Sequence, residues 1–294
     1  MAWWQWGDAG AAHAVVCVHG LTRQGRDFDV LARALVKCAA RQRRSVRVIC
    51  PDVAGRGQSD WLRDPMDYQY PVYVADMLTL LGALHAQAPL TDFDWVGTSM
   101  GGVIGMTLAG MPGLPLPAPL GRLLLNDVGP GIAWVAIERI LDYVGKAPRF
   151  PTVEAGAAYL RALSPGFGPI DDAGWIALSR PMLKHAPDGL WELHYDPAIA
   201  TPMAQLTPEA LTQGEVALWQ LYDRITARTL VLHGADSDLL SMDTVRAMTE
   251  RGPHASRVDL AGVGHAPMLI ADDQLRVALD FLLPDPPGLG EGAR

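Results

Sequence analysis

The order of short apolar runs constrains this chain most. Residues 14–18, reading Ala-Val-Val-Cys-Val, lead into a stretch over 27–40 in which Phe28, Leu31, Leu35 and Val36 recur at helical spacing. A second β-branched run at 46–50 precedes a helical pattern over 70–85, and a third at 93–97 runs directly into small residues that read as a helix to about residue 109. A further run lies at 123–126, and the pattern returns with strands at 229–233 and 257–260 and helices from 242 and over 272–283. Strands alternating with helices are how a parallel sheet covered by helices reads, so the chain is α/β. Between 129 and 223 the alternation stops, leaving helical patterns and Pro/Gly breaks with no convincing strand. This predicts a core made of 1–128 and 224–294 with an inserted helical subdomain, 129–223, and a loose Pro/Gly-rich tail from residue 284.

Charge and cysteine usage narrow the partners. The chain of 294 residues has a formal net charge of −8, which offers no basic field for a phosphate backbone, so nucleic acid is not expected. Its one basic run, Arg41, Arg43, Arg44 and Arg47, reads as a solvated helix end. Cys17, Cys38 and Cys50 cannot all pair, and two of them sit in apolar runs, as reduced core thiols do. Their spacing matches no CxxC or zinc pattern, so neither metal nor cofactor is expected. There is no leader-like start and no apolar stretch of membrane-spanning length, which predicts a cytoplasmic protein without a membrane partner.

The chemistry-bearing residues cluster at strand ends. Gly97-Thr98-Ser99-Met100-Gly101 fits G-x-S-x-G between a strand and a helix, the setting in which a strained turn projects a serine above the sheet. A serine hydroxyl needs a base, and His265, in a Gly-rich loop after the last strand, returns over the sheet's carboxyl edge. His19 reads as a loop-holding residue and His233 as structural; the other five histidines, His13, His85, His185, His194 and His254, read as solvated. For the acid that orients the base, the loop after 229–233 offers Asp238, favoured because Leu239-Leu240 can tuck the turn inward, and Asp236. Asp127, at the end of the neighbouring strand, is the third candidate, otherwise a buried turn acceptor. Backbone N–H groups of Leu21 and Met100 are the candidates to face an oxyanion.

The motifs His19-Gly20-Leu21-Thr22, 51–59 (Pro-Asp-Val-Ala-Gly-Arg-Gly-Gln-Ser), Gly97 to Gly102, 125–130 (Leu-Asn-Asp-Val-Gly-Pro), Ser237-Asp238 and 264–267 (Gly-His-Ala-Pro) occur in this order. In order and spacing the chain resembles the α/β-hydrolase fold, in its group of esterases, lactonases and C–C hydrolases that carry a helical lid. The resemblance covers nearly the whole chain outside 129–223 and implies a Ser/Asp/His triad. One departure lies at the start: members carry a hairpin ahead of the His-Gly strand, and only residues 3–6 remain for it, so the first strand is expected to be missing or the start shortened.

Serine at the elbow, rather than aspartate, favours attack on a carbonyl over attack on an alkyl carbon, and Thr98 stands where ring-fission C–C hydrolases often have Asn. The sequence therefore predicts a serine hydrolase for a small ester-like substrate. The alternatives are a lactonase or C–C hydrolase with the same triad, or a ligand receptor on this fold. With an imidazole base, activity should fall in mildly acidic solution. Trp134, Tyr143, Tyr159, Phe167, Trp175, Trp191 and Trp219 are candidates to line a pocket, although any one of them more often serves the insertion's own core.

Overall fold

The computed structural model describes residues 1–285; from residue 286 the Pro/Gly-rich tail lies outside the described residues. In chain order the elements are β1 (Trp3–Gly7), β2 (His13–Val18), α1 (Asp29–Arg41), β3 (Arg47–Pro51), α2 (Tyr70–Gln87), β4 (Asp92–Thr98), α3 (Met100–Gly110) and β5 (Leu120–Asn126). The insertion then contributes α4 (Trp134–Leu141), β6 (Arg149–Phe150), α5 (Val153–Leu163), α6 (Asp172–Ser179), β7 (Leu183–His185), β8 (Trp191–Leu193), α7 (Ala200–Met203) and α8 (Pro208–Tyr222). The core resumes with β9 (Arg228–Gly234), α9 (Met242–Glu250), β10 (Ser256–Leu260) and α10 (Asp272–Leu282).

Seven strands form one sheet in the order β1-β3-β2-β4-β5-β9-β10, and only β1 runs antiparallel to its neighbour. Because successive side chains point to opposite faces, the continuous apolar run of β2 feeds two cores. Val15 and Cys17 face Leu31 and Leu35 of α1 and Phe281 and Leu282 of α10, while Val16 and Val18 face Met77 and Leu81 of α2 and Ile104 of α3. Burying both faces explains why the strands read as apolar runs rather than as an alternation. It also leaves the carboxyl ends of the parallel strands, where chains turn over to helices, as the open edge for a site.

Three expectations are corrected. The first strand is present: Trp3 pairs with Pro51 and Gly7 with Arg47 across an antiparallel ladder, and Trp4 lies 4.6 Å under the Arg26 guanidinium. The insertion is not wholly helical, since β6, β8 and β7 form a small antiparallel sheet; with two or three residues each, they are too short to show a period of two in sequence. Arg47 is not a solvated helix end. It opens β3, is fully buried, and donates from Nη2 to the Ala88 carbonyl at 2.6 Å and from Nη1 to that of Ala9 at 3.3 Å. Its charged form is disfavoured by that burial, which lowers its pKa.

Cys17, Cys38 and Cys50 are free thiols. Among the described residues, no helix is long and apolar enough to cross a membrane.

Candidate functional site

β4 ends at Thr98, and Ser99 takes φ +51° and ψ −117° before α3 starts at Met100. A left-handed φ strains a residue with a side chain, and it holds here because the neighbours are small. A Cβ on Gly97 would collide with the Gly101 carbonyl and the Gly102 amide, and one on Gly101 with the Val18 carbonyl of the adjacent strand. Both glycines are therefore demanded by how closely the turn packs against α3 and β2.

Ser99 Oγ lies 3.1 Å from His265 Nε2. On the ring's other side, His265 Nδ1 lies 2.8 Å from Asp127 Oδ2. Asp127 follows β5, has φ +53° and is completely buried. It accepts the Gly234 N–H on Oδ1 at 2.8 Å and the Ser237 hydroxyl on Oδ2 at 2.6 Å. A buried carboxylate surrounded by three donors is fixed in place and fixes the imidazole in turn, since an Nδ1–H pointed at Asp127 leaves the Nε2 lone pair for the serine proton.

Asp238, the acid favoured from sequence, is placed elsewhere. Its carboxylate takes both Arg139 Nε at 2.6 Å and Nη2 at 2.9 Å, with the two side chains 34% and 40% exposed. Nearby Arg139 holds its carboxyl below the usual range against a partial burial that acts the other way. Within the Ser237-Asp238 motif it is the serine that reaches the site. Asp236, like Asp238, makes no hydrogen bond to His265 among the described residues.

Two backbone N–H groups, one on a residue that shares a cavity with Ser99 and one on the residue that follows it, are without a partner among the described residues. The Leu21 N–H has no acceptor among the described residues, and Met100 is the first residue of α3, whose N–H lacks an intrahelical partner. The loop that carries Leu21 is anchored by His19 and Arg56. His19 Nδ1 donates to the Gly20 carbonyl at 2.7 Å, and its Nε2 accepts the Val53 N–H at 3.0 Å. Full burial pushes its pKa down to about 3, so the ring is neutral with the proton on Nδ1. Buried Arg56 donates from Nε to the Leu21 carbonyl at 2.8 Å and from Nη1 to Tyr73 Oη at 3.0 Å.

Sequence reasoning missed Arg56 and Asn126 as positioning residues. Asn126 Nδ2 donates to Thr98 Oγ1 at 2.9 Å and to the Pro267 carbonyl at 2.7 Å, tying the elbow to the His265 loop. Both lie inside quoted motifs, which is the signal that could have found them. His233 is structural as expected, bonded to Asp259 at 3.0 Å and the Leu240 carbonyl at 3.2 Å. His13 is not solvated: it sits between Asp92 at 3.0 Å and Asp94 at 3.1 Å.

Ser99 opens onto two cavities. One, of about 90 Å³, is lined by His265, Arg23, Arg139, Tyr143, Tyr159 and Phe167; the other, of about 540 Å³, is lined mainly by apolar side chains such as Val103, Ile132, Ile137, Leu211 and Leu218. Thus Tyr143, Tyr159 and Phe167 of the insertion meet the site, whereas Trp134, Trp175, Trp191 and Trp219 line neither cavity. No cluster of His, Cys, Asp or Glu able to hold a metal ion occurs among the described residues.

Comparison with known proteins agrees with this architecture. The sequence model of the alpha/beta hydrolase family matches residues 15–290. A 3-hydroxybutyrate-oligomer hydrolase of Cupriavidus necator is 48% identical over 284 residues, 96% of this chain and 92% of that protein. An alpha/beta hydrolase structure from Novosphingobium aromaticivorans superposes with a TM-score of 0.77 at 34% identity, covering 95% of this chain and 92% of the other. A Rickettsia typhi structure gives a TM-score of 0.81 at 28% identity, with 95% and 89% covered. A fold-defining sheet, a strained serine between strand and helix, and a family match over nearly the whole chain lead to one assignment: this protein belongs to the alpha/beta hydrolase family.

Proposed function

We propose that the protein hydrolyses carboxylic esters, with Ser99 as nucleophile, His265 as general base and Asp127 as the acid that orients it. The observation that carries this reading is the unbroken hydrogen-bond chain from Ser99 Oγ through the His265 ring to buried Asp127.

In the first half-reaction Ser99 Oγ attacks the ester carbonyl carbon as its proton passes to His265 Nε2. Asp127 steadies the imidazolium that forms, and the negative charge on the carbonyl oxygen is taken up by the Leu21 and Met100 N–H groups. Collapse of the tetrahedral intermediate breaks the C–O bond, and the leaving alkoxide receives the proton from Nε2. Water then attacks the acyl-serine, giving its proton to the same nitrogen; when the second intermediate collapses, Ser99 Oγ recovers a proton and the acid departs. Only water is consumed, and no cofactor enters.

The similarity to a 3-hydroxybutyrate-oligomer hydrolase supports short esters of hydroxy acids as substrates. The insertion, 129–223, acts as the lid over a core of 1–128 and 224–294, since Ile140, Tyr143 and Tyr159 reach the cavities at Ser99. The three unpaired thiols fit a cytoplasmic enzyme.

Ser99→Ala should abolish hydrolysis of the methyl ester of the linear 3-hydroxybutyrate dimer while circular dichroism stays unchanged, and wild-type Ser99 should be labelled by a fluorophosphonate. Near-wild-type turnover by the variant overturns the reading. Enol-lactones and ring-fission diketones assayed beside the ester identify the preferred bond.

A further inference from the structure

The two cavities at Ser99 differ in size, in polarity and in access to the base, and this difference gives the substrate a direction. The proton held on His265 Nε2 must be returned to the leaving oxygen, so the leaving group occupies the side that His265 lines. His265 lines the cavity of about 90 Å³ and not that of about 540 Å³, so the departing alcohol lies in the small cavity and the acyl portion in the large apolar one.

The small cavity is where the arginines are. Arg23 is held bidentately by Asp27 at 2.7 Å on both bonds, and all of that pair lines the cavity. Burial pushes the Asp27 carboxyl up and the Arg23 charge pulls it back, so this pair is internally balanced. Arg139 differs. Its counter-ion Asp238 takes Nε and Nη2 from outside the cavity lining, and the other group bonded to the guanidinium is neutral Tyr143, which lines the cavity beside it. One positive charge therefore lines the space for the leaving group with its counter-ion outside that space, and a neutral phenol beside it. Asp238 fixes the plane of that guanidinium, as a bidentate carboxylate does.

We propose that Arg139, oriented by Asp238, receives a carboxylate carried by the departing alcohol, so that the enzyme cleaves hydroxy-acid oligomers one unit at a time from their acid end. The residual chain occupies the larger apolar cavity as the acyl group. Within the ester-hydrolase reading on which this rests, it sets the polarity of the substrate and gives Asp238 a positioning role.

The test compares the linear 3-hydroxybutyrate dimer as free acid with its methyl ester, at the same ionic strength. The free acid has the higher kcat/KM in the wild type. In Arg139→Gln the acid-to-ester ratio falls by about tenfold or more, mainly through KM, as expected when a charge-assisted bond is removed. Arg139→Lys restores part of the ratio, and Asp238→Asn lowers it by a smaller factor. An unchanged ratio in Arg139→Gln, with both substrates still cleaved, overturns the inference and leaves the ester-hydrolase reading standing. If the wild type cleaves neither, both fall. A second measurement needs no variant: from a linear tetramer isotopically labelled in its carboxyl-terminal unit, the first monomer released carries the label. Early release of unlabelled monomer, or of two dimers, overturns the proposal.

Discussion

Asp127→Asn separates the two candidate acids most sharply. The carboxylate at this position accepts from Gly234 N–H, Ser237 Oγ–H and His265 Nδ1–H. An asparagine has nearly the same shape and tolerates the left-handed φ of +53° that most residues avoid. Its single oxygen can continue to serve Gly234, which places the NH₂ toward His265. The imidazole must then accept on Nδ1 and carry its proton on Nε2, where it cannot take the serine proton. A wrong tautomer in an otherwise intact triad costs about 10⁴ in kcat, or about 5.5 kcal/mol of barrier at about 1.36 kcal/mol per decade. Asp238→Asn breaks an ion pair whose side chains are 34% and 40% exposed, worth at most about 1 kcal/mol of stability. The expected outcome is a loss of kcat on a neutral ester that is about 10³-fold or more greater for Asp127→Asn than for Asp238→Asn, measured on variants with matched circular dichroism and urea midpoints. If Asp238→Asn silences the enzyme while Asp127→Asn retains turnover, the assignment of the acid is wrong.

Three other perturbations follow from the same geometry. His19 has a folded-state pKa of about 3 against an ordinary value of 6.5, so its contribution to stability is fully present above 6.5 and declines as pH falls toward 3. The expected slope is at most about 1.4 kcal/mol per pH unit; urea unfolding between pH 7 and 4 reads it, and a slope unaltered in His19→Gln would exclude His19 as its source. Asn126→Ala removes the bonds from Nδ2 to Thr98 and to the Pro267 carbonyl, which should cost about 1–3 kcal/mol and lower kcat by loosening the His265 loop. An unchanged urea midpoint and kcat would show that these bonds position nothing. At Gly166 of the insertion a Cβ would lie 2.7 Å from His265 N and 2.9 Å from its carbonyl oxygen; Gly166→Ala should displace the base and reduce kcat by up to about 10²-fold with a smaller change in KM, and a loss confined to KM would refute it.

How far the site could be read in the sequence depended on whether a residue's role was local or set by a neighbouring strand. Ser99 is a local case: the glycines at 97 and 101 are required by the backbone of β2 and α3 close to the turn, so the pentapeptide itself records the constraint. His265 and His19 were legible for a related reason, each being beside a loop glycine at the open edge of a parallel sheet. The two- and three-residue strands of the insertion were not, because ladders of that length leave no period to detect, and β1, an edge strand with no buried residue, depends on its antiparallel partner β3.

The acid belongs to the second kind. β5 and β9 are hydrogen-bonded neighbours, with Asn126 opposite Leu232, and the Asp127 N–H donates to the Leu232 carbonyl at 2.8 Å. The residue after β5 and the loop after β9 thus open onto the same point, and the chain order Ser, Asp, His is satisfied by either acid. What discriminates between them is solvent and donors. Asp127 is enclosed by three donors from β9, its loop and His265, so its carboxylate has one orientation. Asp238 stays partly exposed, and α4 of the insertion supplies it with an arginine. That partner is 99 residues away in the chain, and no pattern local to Ser237-Asp238 distinguishes a carboxylate that orients the base from one that orients Arg139. The motif keeps its place because the Ser237 hydroxyl donates to Asp127 while Asp238 pairs with Arg139, so the two residues of one signature serve the end of β5 and α4 separately.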